Sequence, residues 1–211
     1  RTLPPTDFTT ILRACSVISF RYNAISQLAT GEQERVYNGV AKAIADGKLK
    51  NAFEILRELR PIYLSDGQFR NAFEERQLRT TQNRNKRLVR YILFQLERHL
   101  TNRDYDFDSE RYTVEHILPE NPKDGWQQFT DDQIEHFVYR LGNMTLLQAA
   151  PNRDQGNKPY AEKQAAYQAS EFEITQKVTA ENNEWTVERI AARQRWMAKQ
   201  ATTIWRIAQL A

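Results

Sequence analysis

The apolar residues of the first hundred positions recur at helical spacing. Ile11, Leu12, Cys15, Ile18 and Tyr22 form one stripe, and Val36, Val40, Ala43 and Ile44 a second. Phe53, Leu56, Leu59 and Ile62 form a third, with Gly31, Gly47, Pro61 and Gly67 punctuating between them. The clearest pattern predicts a helix over about 83–100. Leu88, Tyr91, Ile92, Gln95, Leu96 and His99 lie on one side of it, with Arg84, Arg87, Arg90 and Arg98 on the other.

The pattern changes over 104–160. Pro119, Pro122, Gly125, Pro151 and Gly156 mark loops, and two short extended runs stand out, YTVEHIL at 112–118 and NMTLL at 143–147. A short helix is expected between them at about 131–139, and another from Lys158 to about Ser170. A long final helix is predicted over 184–209, with Thr186 as N-cap and Glu188 in its first turn. No internal repeat and no sustained heptad is present. The expected fold class is α+β, mainly α, with a helical part over 1–103 and a second part over 104–211 that embeds a small two-stranded unit.

Composition narrows the function classes. With 40% hydrophobic and 27% charged residues over 211 positions, the chain can bury a core. No apolar run is long enough to span a bilayer, and the start, RTLPPTDF, lacks a signal-peptide core. The missing initiator Met points to a fragment of a longer protein. One cysteine, Cys15, excludes an internal disulfide and a cysteine-based zinc site, and it fits a reducing cytoplasm. Any metal must be held by His, carboxylate, amide oxygen and water, a set that suits Mg²⁺ or Mn²⁺.

The net charge of +3 is too mild to identify a nucleic-acid binder. Its distribution says more. Seven Arg or Lys and one acid lie between Arg79 and Arg103, whereas ten acids and two bases lie between Asp104 and Glu135. Two solvated faces of opposite sign, or a phosphate-binding surface beside a metal-binding one, are both open readings. Arg84, Lys86, Arg87 and Arg90 are accordingly either a solvated face or a track for a DNA backbone.

Candidate chemistry concentrates in VEHILPEN and in RLGNMTLLQAAPNRDQGNKPY. Hydrolysing a phosphodiester near neutral pH needs a base, which suits a neutral imidazole, and a divalent cation for the developing charge. Alternation along a strand sends Glu115 and His116 to opposite faces, so a bend or bulge is needed if both are to serve one site. Taken alone, His116 reads as a hydrogen-bonded strand residue, and Asn143 and Asn152 read as turn residues. His99 reads as a helix-end residue, His136 as a surface residue, and Trp185, Trp196 and Trp205 as core.

Together the segments resemble the HNH (His-Me finger) nucleases, and more narrowly the C-terminal nuclease domain of GmrSD-type modification-dependent restriction enzymes. The resemblance rests on Glu115-His116-Ile117-Leu118-Pro119, Trp126, Leu141-Gly142-Asn143 with Thr145-Leu146-Leu147, then Asn152, Asn157, Tyr160 and Lys163. It continues through Trp185-Thr186, Ile190, Arg193 and Ile204-Trp205. It spans about 112–206 and covers the first half only loosely.

The resemblance implies a ββα-metal core over about 112–170. It implies His116 as general base, Asn143 as the residue that orients it, and Glu115 and Asn152 as ligands of one Mg²⁺ (or Mn²⁺). Arg153, Asn157, Lys158 and Lys163 become candidates for phosphate contact, beside Arg84, Arg87 and Arg90. The implied partners are double-stranded DNA and an N-terminal nucleotide-hydrolysing domain outside this chain, with oligomerisation possible and no membrane. No Gly-rich phosphate loop occurs within it. A non-cleaving DNA-binding module and an RNA-directed nuclease are the competing readings.

Overall fold

A computed structural model describes residues 3–211 of the chain. It is mainly helical with one two-stranded antiparallel sheet, an α+β arrangement as the sequence patterns predict. Helix α1 (Pro5–Ser19) runs on as a π-helical turn over Phe20–Ile25. It is followed by α2 (Thr30–Ala45), α3 (Ala52–Leu59), α4 (Asp66–Glu75) and α5 (Asn83–Thr101). Strand β1 (Tyr112–His116), α6 (Asp131–Phe137), β2 (Met144–Gln148) and α7 (Ala149–Gln155) come next. The chain ends with α8 (Tyr160–Gln168), α9 (Glu173–Glu181) and α10 (Val187–Ile204).

Local chemistry explains several boundaries. Pro5 sits in the first turn of α1, where its missing N–H costs nothing. The Asn51 side chain accepts from the Glu54 N–H and caps α3. Thr130 and Gln133 cap α6 reciprocally. Helix α5 stops at Asn102, whose φ of 56° is the left-handed conformation that closes many helices.

The described residues fall into two compact units. One comprises the residues up to Phe73 together with Trp205–Ala211; the other is Glu74–Ile204. In the first, Ala14, Ile18, Ile55, Leu59, Ile62 and Phe69 are fully or almost fully buried. Arg21 is buried with them. Its guanidinium donates to the carbonyls of Trp205 (2.6 Å) and Leu64 (2.8 Å) and pairs with Asp66 (2.8 Å). A buried cation is tolerable only with every donor occupied, and these bonds tie the last residues of the chain to this unit.

The second unit is built around the hairpin. Its register pairs Tyr112 with Gln148, Val114 with Leu146 and His116 with Met144. Strand β2 is buried along Met144–Leu147, because α5 and α9 pack against it. Helix α7 packs on both strands. Ile117, Leu118, Trp126, Leu147, Tyr167 and Trp185 belong to one core cluster. A second aromatic group, Phe94, Tyr105, Tyr112 and Phe172, has ring centroids 5.0–6.0 Å apart.

Some boundaries differ from the pattern-based expectation. The first extended run pairs only as far as His116, and residues 117–119 turn away into a loop. Asn143 lies in a tight 3₁₀ turn before β2 rather than inside the strand. The final helix ends at Ile204, not 209. Helix α9 has no counterpart in the periodicity. Glu97 caps it, accepting from the Glu173 and Ile174 N–H groups at 3.0 and 2.9 Å.

The turn before β2 fits closely under α10. A Cβ at Gly142 would lie 2.2 Å from the Ile190 carbonyl oxygen and 2.9 Å from the Gln194 Cβ. Because backbone cannot move aside as a flexible side chain can, Gly142→Ala should destabilise the fold by at least about 2 kcal/mol. An unfolding free energy from urea denaturation lowered by less than about 0.5 kcal/mol would show that α10 gives way freely.

Candidate active site

The candidate site forms where β1 ends. Tyr139 and Arg140 enter the turn before β2, and the segment before α5 runs beside them. The Leu78 N–H donates to the Tyr139 carbonyl (2.9 Å), and Gln77 forms a bridge with Arg140. That pairing brings Thr80 to His116. The Thr80 hydroxyl lies 3.1 Å from His116 Nε2 and donates to Glu120 Oε1, also at 3.1 Å. Glu120 Oε1 is itself 3.7 Å from Nε2. The Tyr139 ring meets the imidazole edge-on, at 5.9 Å between centroids. Beside this group an open cleft of about 490 Å³ is lined by Arg79, Glu120, Asn121, Ile134, Glu135 and Tyr139, among others.

The His116 side chain is 14% exposed. Burial pushes its pKa from the ordinary 6.5 down to about 4, against the pull of Glu120 and with help from Lys163 and Lys86. The imidazole is therefore neutral at physiological pH, the state in which it can accept a proton.

Glu115 takes the opposite face, as strand alternation requires. Its carboxylate receives the Lys163 ammonium at 2.8 Å and the Tyr167 hydroxyl at 2.7 Å, with Lys163 fully buried. Lys163 also donates to the carbonyls of His116 and Ile117, each at 3.1 Å. Burial raises the Glu115 pKa and lowers that of Lys163, and each charge offsets the other's shift. The Tyr167 phenol is held well above its ordinary range by burial and by Glu115, so it stays a donor. No bend brings Glu115 to the side of His116, and Lys163 reaches no surface where a phosphate could meet it. Both residues support the strand end from within.

Asn143 is also fully buried and makes four side-chain hydrogen bonds. Its Nδ2 donates to the carbonyls of Leu118 (2.8 Å) and Val138 (3.0 Å), and its Oδ1 accepts from the Leu118 N–H (2.8 Å) and Trp185 Nε1 (3.0 Å). The Asn143 carbonyl accepts from the Ile117 N–H (2.9 Å). It fixes the loop that follows His116 and makes no hydrogen bond to the imidazole.

Asn152, on α7, is half-buried. Its Nδ2 donates to Thr113 Oγ1 (2.7 Å) and to the Val114 carbonyl (3.2 Å). Among the described residues nothing donates to its Oδ1, which leaves a hard oxygen donor of the kind Mg²⁺ accepts. No cluster of three or more His, Cys, Asp or Glu suited to a metal occurs among the described residues. Of the two ligand candidates, the Asn152 amide oxygen is left without a donor, whereas the Glu115 carboxylate is committed to Lys163 and Tyr167.

The basic candidates divide. Arg90 is structural: its guanidinium donates to the carbonyls of Phe107, Ser109 and Tyr112 and stacks on Phe94 at 4.9 Å. Arg84, Lys86 and Arg87 lie exposed on the first turns of α5, with Arg87 3.8 Å from Asp108. Arg153, in the last turn of α7, and Asn157 and Lys158, in the segment that follows it, are exposed. Thr80 and Glu120 carried no signal in the sequence: a threonine in a turn is unremarkable, and its link to His116 spans 36 positions.

A two-stranded antiparallel sheet, a helix packed on both strands and a histidine at the strand end thus make up the candidate site. A family model described as GmrSD restriction endonucleases, C-terminal domain, matches residues 63–200, more than half of the chain. The chain belongs to that family, which is a family of restriction-system nucleases. No curated protein matches it.

Two outcomes follow. Lys163→Met should strand the buried Glu115 charge and destabilise the fold by about 3–5 kcal/mol, with most of the loss recovered in Glu115→Leu/Lys163→Met. Thermal melts test this; a normal melt with weakened DNA binding would instead return Lys163 to phosphate contact. As pH falls, the unfolded chain protonates His116 near 6.5 and the folded chain only near 4. The stability contributed by the neutral ring is thus complete above about 6.5 and is lost towards 4. An NMR titration of the folded chain should place the His116 midpoint near 4, and a midpoint at 6.5 would contradict the burial argument.

Proposed function

We propose that this chain is a divalent-metal-dependent DNA endonuclease or nickase of the HNH (His-Me finger) type, acting in a prokaryotic defence system against foreign DNA. The observation that carries the reading is His116: a neutral imidazole at the end of β1, anchored at Nε2, beside a hairpin on which α7 packs. In this reading β1, β2 and α7 are the ββα unit, and His116 takes a proton from the water that attacks the scissile phosphorus. Asn152 Oδ1 would hold one Mg²⁺ or Mn²⁺, with water and the phosphate as its other ligands. When bound, such a cation stabilises the charge that develops on the phosphate and on the leaving oxygen.

Each remaining residue has a narrower task. Asn143, Lys163 and Glu115 hold the backbone that carries His116. Arg153 on α7 and Asn157 and Lys158 after it, together with Arg84, Lys86 and Arg87 on α5, offer exposed groups to a DNA backbone. Contacts of that kind supply affinity that weakens with salt and carries little sequence information. Selection of modified DNA, and nucleotide hydrolysis, are assigned to an N-terminal partner domain, and the site of action to the cytoplasm. Among the described residues no helix is long and apolar enough to cross a membrane.

Cleavage of supercoiled plasmid by the purified chain, with Mg²⁺, Mn²⁺ or EDTA, is the test. His116→Ala should slow cleavage by roughly 10²-fold or more, and Asn152→Ala should raise the metal concentration needed. Equal cleavage by wild type and His116→Ala would remove His116 from the mechanism. DNA bound but uncut by the wild type under every condition would favour the binding-module reading.

A further inference from the structure

The hydrogen bonds around His116 have a direction. At neutral pH a carboxylate can only accept, so the single Thr80 hydroxyl proton goes to Glu120 Oε1. The Thr80 oxygen then has only lone pairs to offer to His116 Nε2, 3.1 Å away. The bond between them therefore requires the proton to sit on Nε2, and a neutral imidazole protonated there carries its basic lone pair on Nδ1. Among the described residues nothing bonds to Nδ1.

Nothing in the nuclease unit itself supplies this contact. Thr80 comes from the segment before α5, held in place by the Leu78 bond to Tyr139 and the bridge between Gln77 and Arg140. Arg140 is fixed in turn. It pairs with Glu75 (2.8 Å), donates to the Glu74 carbonyl (2.5 Å) and bonds the Gln194 side chain (3.2 Å). Glu120 follows directly on the loop that Asn143 clamps at Leu118. Both ends of the relay are thus anchored, which a tautomer selector requires.

We propose that Thr80 and Glu120 are positioning residues: the carboxylate–hydroxyl–imidazole chain fixes His116 as its Nε2–H tautomer and makes Nδ1 the nitrogen that takes the proton from water. The role of Nδ1 as base rests on the nuclease reading above; the fixed tautomer does not. Orienting groups one step removed from the chemistry typically influence rates by roughly 10- to 100-fold. Thr80 acts through His116 alone, so its loss should appear in kcat and leave KM for DNA unchanged.

The test is a long-range proton–nitrogen correlation spectrum of the imidazoles in the uniformly ¹⁵N-labelled chain at pH 7, without metal or DNA. His116 is identified by the signals missing in His116→Gln. The wild type should show the Nε2–H form alone. Thr80→Val and Glu120→Ala should each give a tautomer mixture and lower kcat by roughly tenfold or more, and Thr80→Ser should restore both properties. Glu120 is on the surface, so its variant reports on the relay even if Thr80→Val folds poorly. An Nδ1–H wild type would overturn the proposal, as would variants that keep the wild-type tautomer and kcat. The spectra need no substrate. A wild-type chain that cuts no DNA would sink the base role of His116, while the tautomers would still decide the relay.

Discussion

The structure depends on satisfying a stretch of backbone that is buried without secondary structure. After His116 the chain leaves the sheet, yet Ile117, Leu118 and Pro119 remain buried. Each of their polar groups needs a partner inside the protein, since an orphaned one costs about 1–3 kcal/mol. Asn143 supplies three bonds to this stretch: its carbonyl accepts from the Ile117 N–H, its Oδ1 accepts from the Leu118 N–H, and its Nδ2 donates to the Leu118 carbonyl. Lys163 covers the carbonyls of His116 and Ile117. A buried ammonium needs a counter-ion, which makes Glu115 part of the same solution, and Tyr167 completes it. A single requirement thus links β1, the turn before β2 and helix α8.

The same logic explains where the cations go. Arg193 is buried on α10 and donates to the carbonyls of Gly142, Met144 and Ile174 and to the Thr145 hydroxyl, while burial lowers its pKa to about 10. At that value it is still charged near neutrality, and it is satisfied by dipoles instead of a carboxylate. Arg90 does the same for the loop ahead of β1. These guanidiniums brace the turn before β2 and the entry to β1, so the hairpin is gripped at both ends. The exposed basic residues near the hairpin are Arg84, Lys86 and Arg87 on α5, Arg153 on α7 and Lys158 after it, among others.

A rigid support of this kind suits a reaction in which the protein contributes little beyond position and charge. A base displaced by an ångström loses much of its advantage, and the imidazole is constrained by the strand, by the clamped loop and by the Thr80 hydroxyl. The groups that the proposed function turns towards substrate, Asn152 and the basic residues, sit on α7, on α5 and on the turn before α8. Under the proposed function this division of labour is a braced base with exposed contacts to a polyanion around it, in a chain of the restriction-nuclease family.

The helical majority, the two short strands and the two motif segments were legible from the residues alone. Amphipathic spacing and residue chemistry are local, and so are the EHILP and LGN segments, which fall at the end of β1 and just before β2. The sequence did not reveal α9, whose Ile174, Thr175, Val178 and Thr179 are β-branched and weak helix formers; burial against α5 and β2 overrides that propensity. It also could not assign tasks to charges. Glu115 reads equally well as a ligand and as half of an ion pair, and its partner Lys163 lies 48 positions away. The packing of the folded chain is what buries Lys163, turns the half-buried Arg90 onto backbone carbonyls and brings Thr80 and Glu120 to His116. Burial and hydrogen-bond direction belong to the packed chain and not to any segment of it.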